Sequence, residues 1–589
     1  MRLASVLPVV AVALTCGALA AAQQAPTAAR PTRDIPAQQT AKPATGRIAG
    51  RVLTADSGRP VKRARVLLNA PELPGGRGTL TDDQGVFDFT ELPQGRYTLA
   101  VSKSGYVNLA YGQRRPLQPG TPLQLNDGQQ IRNLEFRLPR GSVISGHVLD
   151  EAGEPLPGAT VRAMSYRYAQ GARQLVSAGN TQTDDRGEYR IWGLNPGEYY
   201  ITAVARNFNL GQNGPFAGRG GRGGLPPASP NVGGTPPSPG ADAAEQSGYA
   251  PTYYPGVESI AEARPINLAL SSESLDINFG MLLVRTSRIT GQVLASDGTT
   301  VSTGNVVLTP EGQQSGRPGP GTGFGGRIQW DGGFTLVNVP PGRYVLRARG
   351  DDWDQPQYAM MPVSVAGADV TGLNVILTPG ASITGSVTLQ RSQSLSADIT
   401  QFRVSAPSAD GTNLGPQQNA RVDGAGQFTL DGVPAGSHWI RAQAPRGWVL
   451  KSVTADGRDV TDTAIDLRSG QRLGNVAVVF TDKLSEINGT ITDEQGTPVT
   501  DFTMLAFPVE SSLWIPLSRY IMTARPDQNG TFQLRGLPPG EYYLAAVDPT
   551  EAGEWFEPSY LDEHRVSAVR LLLGDGDIKT QNVKIATGR

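Results

Sequence analysis

The sequence predicts an all-β fold, a tandem array of about five two-sheet β-sandwiches with about seven strands each. Three observations lead to this prediction. One short pattern recurs five times along the 589 residues, and apolar residues alternate with a period of two around every copy. The composition, with 72 Gly and 46 Pro, suits short strands and tight turns, and no helical period is sustained after the N-terminal segment.

The recurring pattern is a glycine, an aromatic residue two positions later, an aliphatic residue, a second glycine and a tyrosine. In the first copy these residues are Gly85, Phe87, Leu92, Gly95 and Tyr97. The later copies begin at Gly187, Gly332, Gly426 and Gly530. Alternating apolar residues on both sides of the second glycine predict a β-hairpin. The fourth copy differs, because His438 stands at the tyrosine position.

Each repeat opens with a strand that has glycine at the centre of an Ile-x-Gly-x-Val or Ile-x-Gly-x-Ile pattern. These central glycines are Gly50, Gly146, Gly291, Gly385 and Gly489. We expect them on the inward face, where the missing Cβ lets another strand or ring approach closely. The repeats place sandwiches at 46–139, 140–284, 285–378, 379–482 (divergent) and 483–589. The short linkers between them predict a monomeric, elongated, semi-rigid string of modules.

The N-terminus predicts export. Residues 1–22 have a charged start, an apolar run and small residues before a cleavage region, as a signal peptide does. A transmembrane anchor is the rival interpretation, but the apolar run is shorter than a membrane requires. Residues 23–45 are expected to be a disordered linker, and the Gly/Pro-rich stretch 209–248 a disordered insertion. The expected location is secreted, periplasmic or at the cell surface, with no transmembrane segment after cleavage.

Charge and residue counts argue against several function classes. The formal net charge is −1, with no basic stripe, so nucleic acid is not an expected partner. Cys16 is the only cysteine and lies in the predicted signal peptide, which argues against disulfides and thiol chemistry. The chain has three histidines, and His147 near Asp150 is better explained as a solvated strand residue than as a zinc ligand. We therefore expect no catalytic residues, no metal and no cofactor.

The opening strand, an Asp-x-x-Gly-x-Pro turn and the Gly-x-Phe-x-Phe hairpin together resemble the carboxypeptidase regulatory-like family. The resemblance implies a transthyretin-like (prealbumin-like, Ig-like) sandwich related to carbohydrate-binding-like folds. It also implies an accessory, non-catalytic role, as in stalks, adhesion modules or polysaccharide-contacting domains of bacterial surface proteins. Fold alone does not decide among these roles.

The candidate ligand-binding residues are aromatic side chains outside the strand alternation. They precede the closing strands of three repeats and are Tyr111, Tyr253, Tyr254, Trp555, Phe556 and Tyr560. Exposed rings of this kind can stack on sugar faces. The alternative is that they plug the open ends of the sandwiches.

The sequence therefore predicts a secreted, non-catalytic protein that binds polysaccharide. A structural spacer or adhesion rod that contacts proteins is the alternative, and an accessory part of a peptidase is a third possibility.

Overall fold

The computed structural model describes residues 45–585 except 170, 206–246, 312–322, 353–354, 393–396 and 410–418. The predicted signal peptide and nearly all of the linker lie outside the described residues, as does most of the insertion. Residues 247 and 248, which the prediction includes in the insertion, belong to a short strand.

The first sandwich has one sheet in the order β4-β1-β8 and a second in the order β3-β2-β5-β6, with β7 also paired to β5. Its strands are β1 Gly46–Thr54, β2 Arg65–Ala70, β3 Leu73–Leu80, β4 Val86–Leu92, β5 Gly95–Ser102, β6 Leu109–Ala110, β7 Leu123–Leu125 and β8 Gln130–Leu138. The predicted hairpin is the β4–β5 connection. The predicted β-hairpin is wrong, because β4 pairs with β1 in one sheet and β5 pairs with β2 in the other, so the connection joins the two sheets.

The second sandwich repeats this plan with β12-β9-β17 on one side and β11-β10-β13-β15 on the other. Its strands are β9 Ser142–Leu149, β10 Thr160–Ala169, β11 Ala172–Gln182, β12 Glu188–Leu194, β13 Gly197–Val204, β14 Ser247–Tyr249, β15 Thr252–Tyr253, β16 Ile266–Leu268, β17 Glu273–Ser274, β18 Phe279–Gly280 and β19 Leu283–Arg285.

In the third sandwich the strands form one continuous sheet in the order β22-β21-β24-β25-β26-β20-β23, because β25 pairs with β26. The strands of the fourth sandwich are divided among three sheets. The third has β20 Ser287–Ala295, β21 Gly304–Pro310, β22 Phe324–Arg327, β23 Gly333–Val339, β24 Gly342–Gly350, β25 Gln357–Val365 and β26 Val370–Pro379. The fourth has β27 Ala381–Gln390, a 3-10 turn Ile399–Gln401, β28 Arg403–Ser405, β29 Asn419–Arg421, β30 Gln427–Val433, β31 Gly436–His438, β32 Arg441–Gln443, β33 Val449–Ala455, β34 Arg458–Asp459, β35 Ile465–Leu467 and β36 Arg472–Thr481.

The fifth sandwich adds an α-helix, α1 Pro558–Arg565, which the sequence did not predict. The helix has eight residues and a single buried one, Leu561, so it is too short to give an apolar period. None of the described helices is long and apolar enough to cross a membrane. The remaining elements are β37 Glu486–Thr492, β38 Thr503–Pro508, β39 Met522–Ala524, β40 Thr531–Arg535, β41 Gly540–Val547, β42 Val569–Leu573, β43 Ile578–Thr580, β44 Val583–Lys584 and the 3-10 turns Ser511–Leu513 and Glu554–Phe556.

The predicted all-β fold class is confirmed. In the described part of the chain, each repeat has its own cluster of buried apolar side chains, and the fifth has a second cluster on its outer side. The central glycines have the predicted role. A Cβ added to Gly50 would collide with the backbone oxygen of Leu134 and lie 2.7 Å from the Phe87 ring.

The connection between β4 and β5 contains one hydrogen bond that recurs in the repeats. The hydroxyl of each repeated tyrosine donates to the carbonyl oxygen of the residue four positions earlier, at 2.6 to 2.9 Å, and these tyrosines are Tyr97, Tyr199, Tyr344 and Tyr542. In the fourth repeat, Nε2 of His438 lies 2.8 Å from the Pro434 oxygen and Nδ1 lies 2.9 Å from the Ala406 oxygen. The imidazole therefore makes the contact that the phenol makes elsewhere.

The sandwiches also contact one another out of sequence order. Gln124 on the edge strand β7 donates its N–H to Oε1 of Gln528 at 2.8 Å, and Nε2 of Gln528 donates to the Gln124 oxygen at 3.0 Å. Arg114 and Asp501 form an ion pair between the same two sandwiches. These contacts contradict the predicted elongated string, in which only successive modules would touch. Short linkers limit hinge motion, but they do not prevent a polar turn of the fifth sandwich from pairing with a free edge of the first.

Candidate functional site

Two of the predicted ligand-binding tyrosines pack on sandwich cores. Tyr111 is half-buried and meets Phe136 edge to face, with ring centroids 6.1 Å apart. Tyr254 does the same with Phe279 in the second sandwich, also at 6.1 Å. Both rings pack against a hydrophobic core.

Three further candidates lie together in the second cluster of the fifth sandwich. Trp555 and Phe556 are half-buried with centroids 6.3 Å apart, and Tyr560 packs beside them from α1. Burial raises the pKa of Tyr560 to about 12. These rings cover the outer face of the sheet containing β38 and β41. Ligand contact by any of these five aromatic residues stays a prediction.

Tyr253 has a different position, on the outer face of the second sandwich. It pairs with Thr202 on β13, and Thr202 pairs with Arg162 on β10. Residues that are directly paired across neighbouring strands point to the same side of a sheet. Tyr253, Thr202 and Arg162 therefore form one row across three strands, on the side away from the core.

The same outer face carries further tyrosines and a second arginine. Tyr166 and Tyr200 meet edge to face at 5.9 Å, and the guanidinium of Arg173 lies 4.4 Å above the Tyr166 ring. We call the set Arg162, Tyr166, Arg173, Tyr200 and Tyr253 the tyrosine face. Rings and guanidinium groups arranged in this way offer both flat apolar surface and hydrogen-bond donors.

Arg162 is the exceptional member of the tyrosine face. Its exposed fraction is 5%, and no hydrogen-bond partner for its Nη1 atom lies among the described residues. Burial lowers the pKa of Arg162, while the nearby phenol of Tyr253 opposes that shift. A buried guanidinium nitrogen without a hydrogen-bond partner is costly, so its presence calls for an explanation outside the packing of the sandwich.

Sequence reasoning found only Tyr253 among the members of the tyrosine face. The others lie at outward positions of strands that the sequence predicts by alternation, whereas the predicted ligand-binding residues are aromatic residues outside that alternation. The same omission applies to Trp192, whose exposed fraction is 57%, on the opposite sheet. The signal that distinguishes Trp192 and the strand residues of the tyrosine face is a difference between repeats at outward strand positions.

The described residues offer no clear catalytic or metal centre. No group of three or more His, Cys, Asp or Glu side chains in the described part of the chain could hold a metal ion. His147 lies 3.4 Å from Glu188 on an outer strand surface, as a solvated histidine does. Asp82 and Asp184 cap turns, since Oδ1 of each accepts two backbone N–H groups.

A family model confirms the resemblance for the first two repeats. Residues 47–139 and 143–218 match the carboxypeptidase regulatory-like domain. These two sandwiches are therefore similar in sequence to the carboxypeptidase regulatory-like domain. No curated protein matches the chain.

Several solved structures of bacterial pilins share weak similarity with this chain. The minor pilin GBS52 of Streptococcus agalactiae is 11% identical over 40% of this chain and 95% of its own, with a TM-score of 0.20. The major pilin BcpA of Bacillus cereus is 9% identical over 51% and 99%, with a TM-score of 0.15. The full-length RrgB pilus protein of Streptococcus pneumoniae is 8% identical over 93% and 99%, with a TM-score of 0.14. Scores this low support no functional inference.

Proposed function

We propose that the protein is an exported, non-catalytic binding protein that takes polysaccharide on the tyrosine face of its second sandwich. The observation that carries the proposal is the row of tyrosine rings on an outer sheet face, with two arginines among them. Sugar rings present apolar C–H faces to aromatic rings, while their hydroxyl groups accept and donate hydrogen bonds at the edges. Export is supported by the N-terminal sequence, residues 1–22.

The contacts on the face support a surface held in place before a ligand arrives. The Tyr200 hydroxyl donates to Oε1 of Glu198 at 2.9 Å, and Arg173 rests on the Tyr166 ring. Side chains that are already ordered lose less conformational entropy on binding. A repeating polymer could then contact several rings at once.

The test is binding of the full chain to a glycan array, followed by affinity electrophoresis in gels that contain the polysaccharide found. Tyr166→Ala should weaken binding about tenfold or more, because truncation of a central aromatic contact has that effect. The matched control is Trp192→Ala, which removes an exposed ring from the opposite sheet of the same sandwich. An array with no bound glycan would refute the proposal. Loss of binding in the Trp192 variant alone would move the site to the other sheet.

A structural or adhesion role in protein contact is the second candidate. It is favoured by Trp330, which is 84% exposed at the tip of the turn before β23. The corresponding turn of the fifth sandwich places Gln528 against the first sandwich, so this turn already serves contacts between protein surfaces. An empty glycan array would leave this candidate.

A further inference from the structure

We propose that the tyrosine face selects acidic polysaccharide, with Arg162 binding the carboxylate of a uronic acid residue. The inference rests on the proposed function, because it names the class of polysaccharide that this same face takes. It depends on the identity, burial and surroundings of one arginine.

The fold does not require an arginine at position 162. Strand pairing identifies the equivalent position in every repeat. It is the residue that pairs with the one five positions after the second glycine of the repeated pattern. The residues at that position in the other four sandwiches are Leu67, Val307, Ser405 and Leu505. An apolar side chain, or a serine, therefore satisfies the same backbone.

Arg162 lacks the partners that a buried arginine ordinarily has. Its exposed fraction is 5%, its Nη1 atom has no hydrogen-bond partner among the described residues, and no ion pair to it is formed within the described ranges. Elsewhere in the chain the half-buried Arg519 pairs with Asp462 through two hydrogen bonds of 2.8 Å each. A ligand carboxylate would accept hydrogen bonds from the Arg162 guanidinium, as the Asp462 carboxylate does from Arg519.

The surroundings favour an anion attached to a sugar over a free ion. Tyr253 lies in the same row as Arg162, and Tyr166 carries a second cation, Arg173, on its ring. The acidic side chain of Glu198 is engaged by the Tyr200 hydroxyl. A planar carboxylate matches the guanidinium fork in a bidentate geometry, and the pyranose ring that bears it would lie against a tyrosine.

The experiment compares polygalacturonate with its methyl ester, which has the same backbone without the charge. We expect the full chain to bind polygalacturonate at least about tenfold more tightly, since hydrogen bonds to charged groups have that effect. Arg162→Leu, which copies Leu505, should reduce this preference to within about twofold. The control is Arg186→Leu, which removes the same charge from an exposed turn of the same sandwich.

The outcomes separate this inference from the proposed function. Equal binding of both polymers by the native chain would overturn the carboxylate preference and leave polysaccharide binding standing. Binding of neither polymer, together with an empty glycan array, would refute both. An equal loss in the Arg186 variant would overturn the role of Arg162, because it would indicate general charge attraction. Dextran sulfate is the third probe, and binding as tight as that of polygalacturonate would overturn the assignment to carboxylate.

Folding does not confound the Arg162 variant. Leucine occupies the corresponding position of the fifth sandwich, fully buried in the described structure. Replacing an unpaired buried guanidinium with an apolar side chain should therefore raise the melting temperature of the second sandwich. A lowered melting temperature would indicate that Arg162 supports the fold and would overturn its assignment to a ligand.

Discussion

The second and fifth sandwiches carry different side chains at corresponding positions on their outer faces. In the fifth, β38 and β41 present apolar residues that lie beneath Trp514 and Leu561, and together they make a second hydrophobic cluster. In the second, β10 and β13 present Arg162, Met164 and Tyr200 at the positions of Leu505, Phe507 and Tyr543. One face is closed by the segment of its own chain that contains α1, and the other carries tyrosine rings and cations.

The comparison teaches where the repeats are free to differ. Their inner faces are alike, because the repeated aromatic residues and central glycines fill and shape the cores. Their outer faces share no such requirement, so the side chains there reflect what each sandwich contacts. A binding role for the second sandwich and a packing role for the fifth are consistent with one common fold.

The largest expected effect is on stability, at the one compared position where both sandwiches have tyrosine, Tyr543 in the fifth and Tyr200 in the second. Tyr543→Ala should destabilise the fifth sandwich by about 3–5 kcal/mol, as truncation of a buried aromatic residue does. Tyr543 is 5% exposed and packs on Phe507 with centroids 5.2 Å apart. Tyr200→Ala, the matched change on the tyrosine face, should cost about 1 kcal/mol.

The measurement is hydrogen exchange read separately for peptides of each sandwich, because a chain of several domains does not unfold in one step. Exchange should increase throughout β38 and β41 in the Tyr543 variant and stay near native in β10 and β13 of the Tyr200 variant. If Tyr200→Ala unfolded the second sandwich instead, the tyrosine face would be a core surface and the contrast would be lost.

In the divergent fourth repeat, His438 stands where the other repeats have a buried tyrosine, and the stability of variants tests whether the two side chains are equivalent. Both partners of the His438 imidazole are carbonyl oxygens, and an imidazole tautomer has one N–H to donate, so His438→Phe removes one hydrogen bond and should cost about 1 kcal/mol. Tyr542→Phe removes a single bond, to Pro538, and should cost about 1 kcal/mol. The exchange rates of β31 and β41 report the two losses. A His438 variant as stable as the native chain would show that the imidazole does not replace the phenol.

How far the sequence predicts this molecule depends on which face a residue occupies. The roles of Gly50 and Tyr97 could be predicted, because the same residue type recurs at the equivalent inward position of other repeats. Trp555 and Tyr560 were harder, since they pack against a second cluster whose other half, Leu505 and Phe507, looks like ordinary strand sequence. Arg162 was not predicted at all. A single charged residue on an outward strand position is unremarkable until the structure gives its burial.

Contacts between distant repeats were also beyond the sequence. Gln528 occupies the same turn position as Asp185, and glutamine at an exposed turn carries no signal for a contact four hundred residues away. The contact with Gln528 depends on the edge strand β7, which presents backbone N–H and C=O groups that can accept an outside partner. Local pattern describes a strand and does not describe which surface will cover its edge.

The smallest expected effect tests this difference between the turns of the second and fifth sandwiches. Gln528→Ala removes the reciprocal pair of hydrogen bonds to Gln124 and should cost about 1 kcal/mol, because both bonds lie near solvent. The Gln124 amide should exchange several times faster, since its N–H loses its acceptor. Asp185→Ala, at the corresponding turn of the second sandwich, is the matched control and should leave exchange of β7 unchanged. Unaltered exchange of Gln124 in the Gln528 variant would mean that the first and fifth sandwiches do not stay paired in solution, and the elongated string predicted from the linkers would then be the better description.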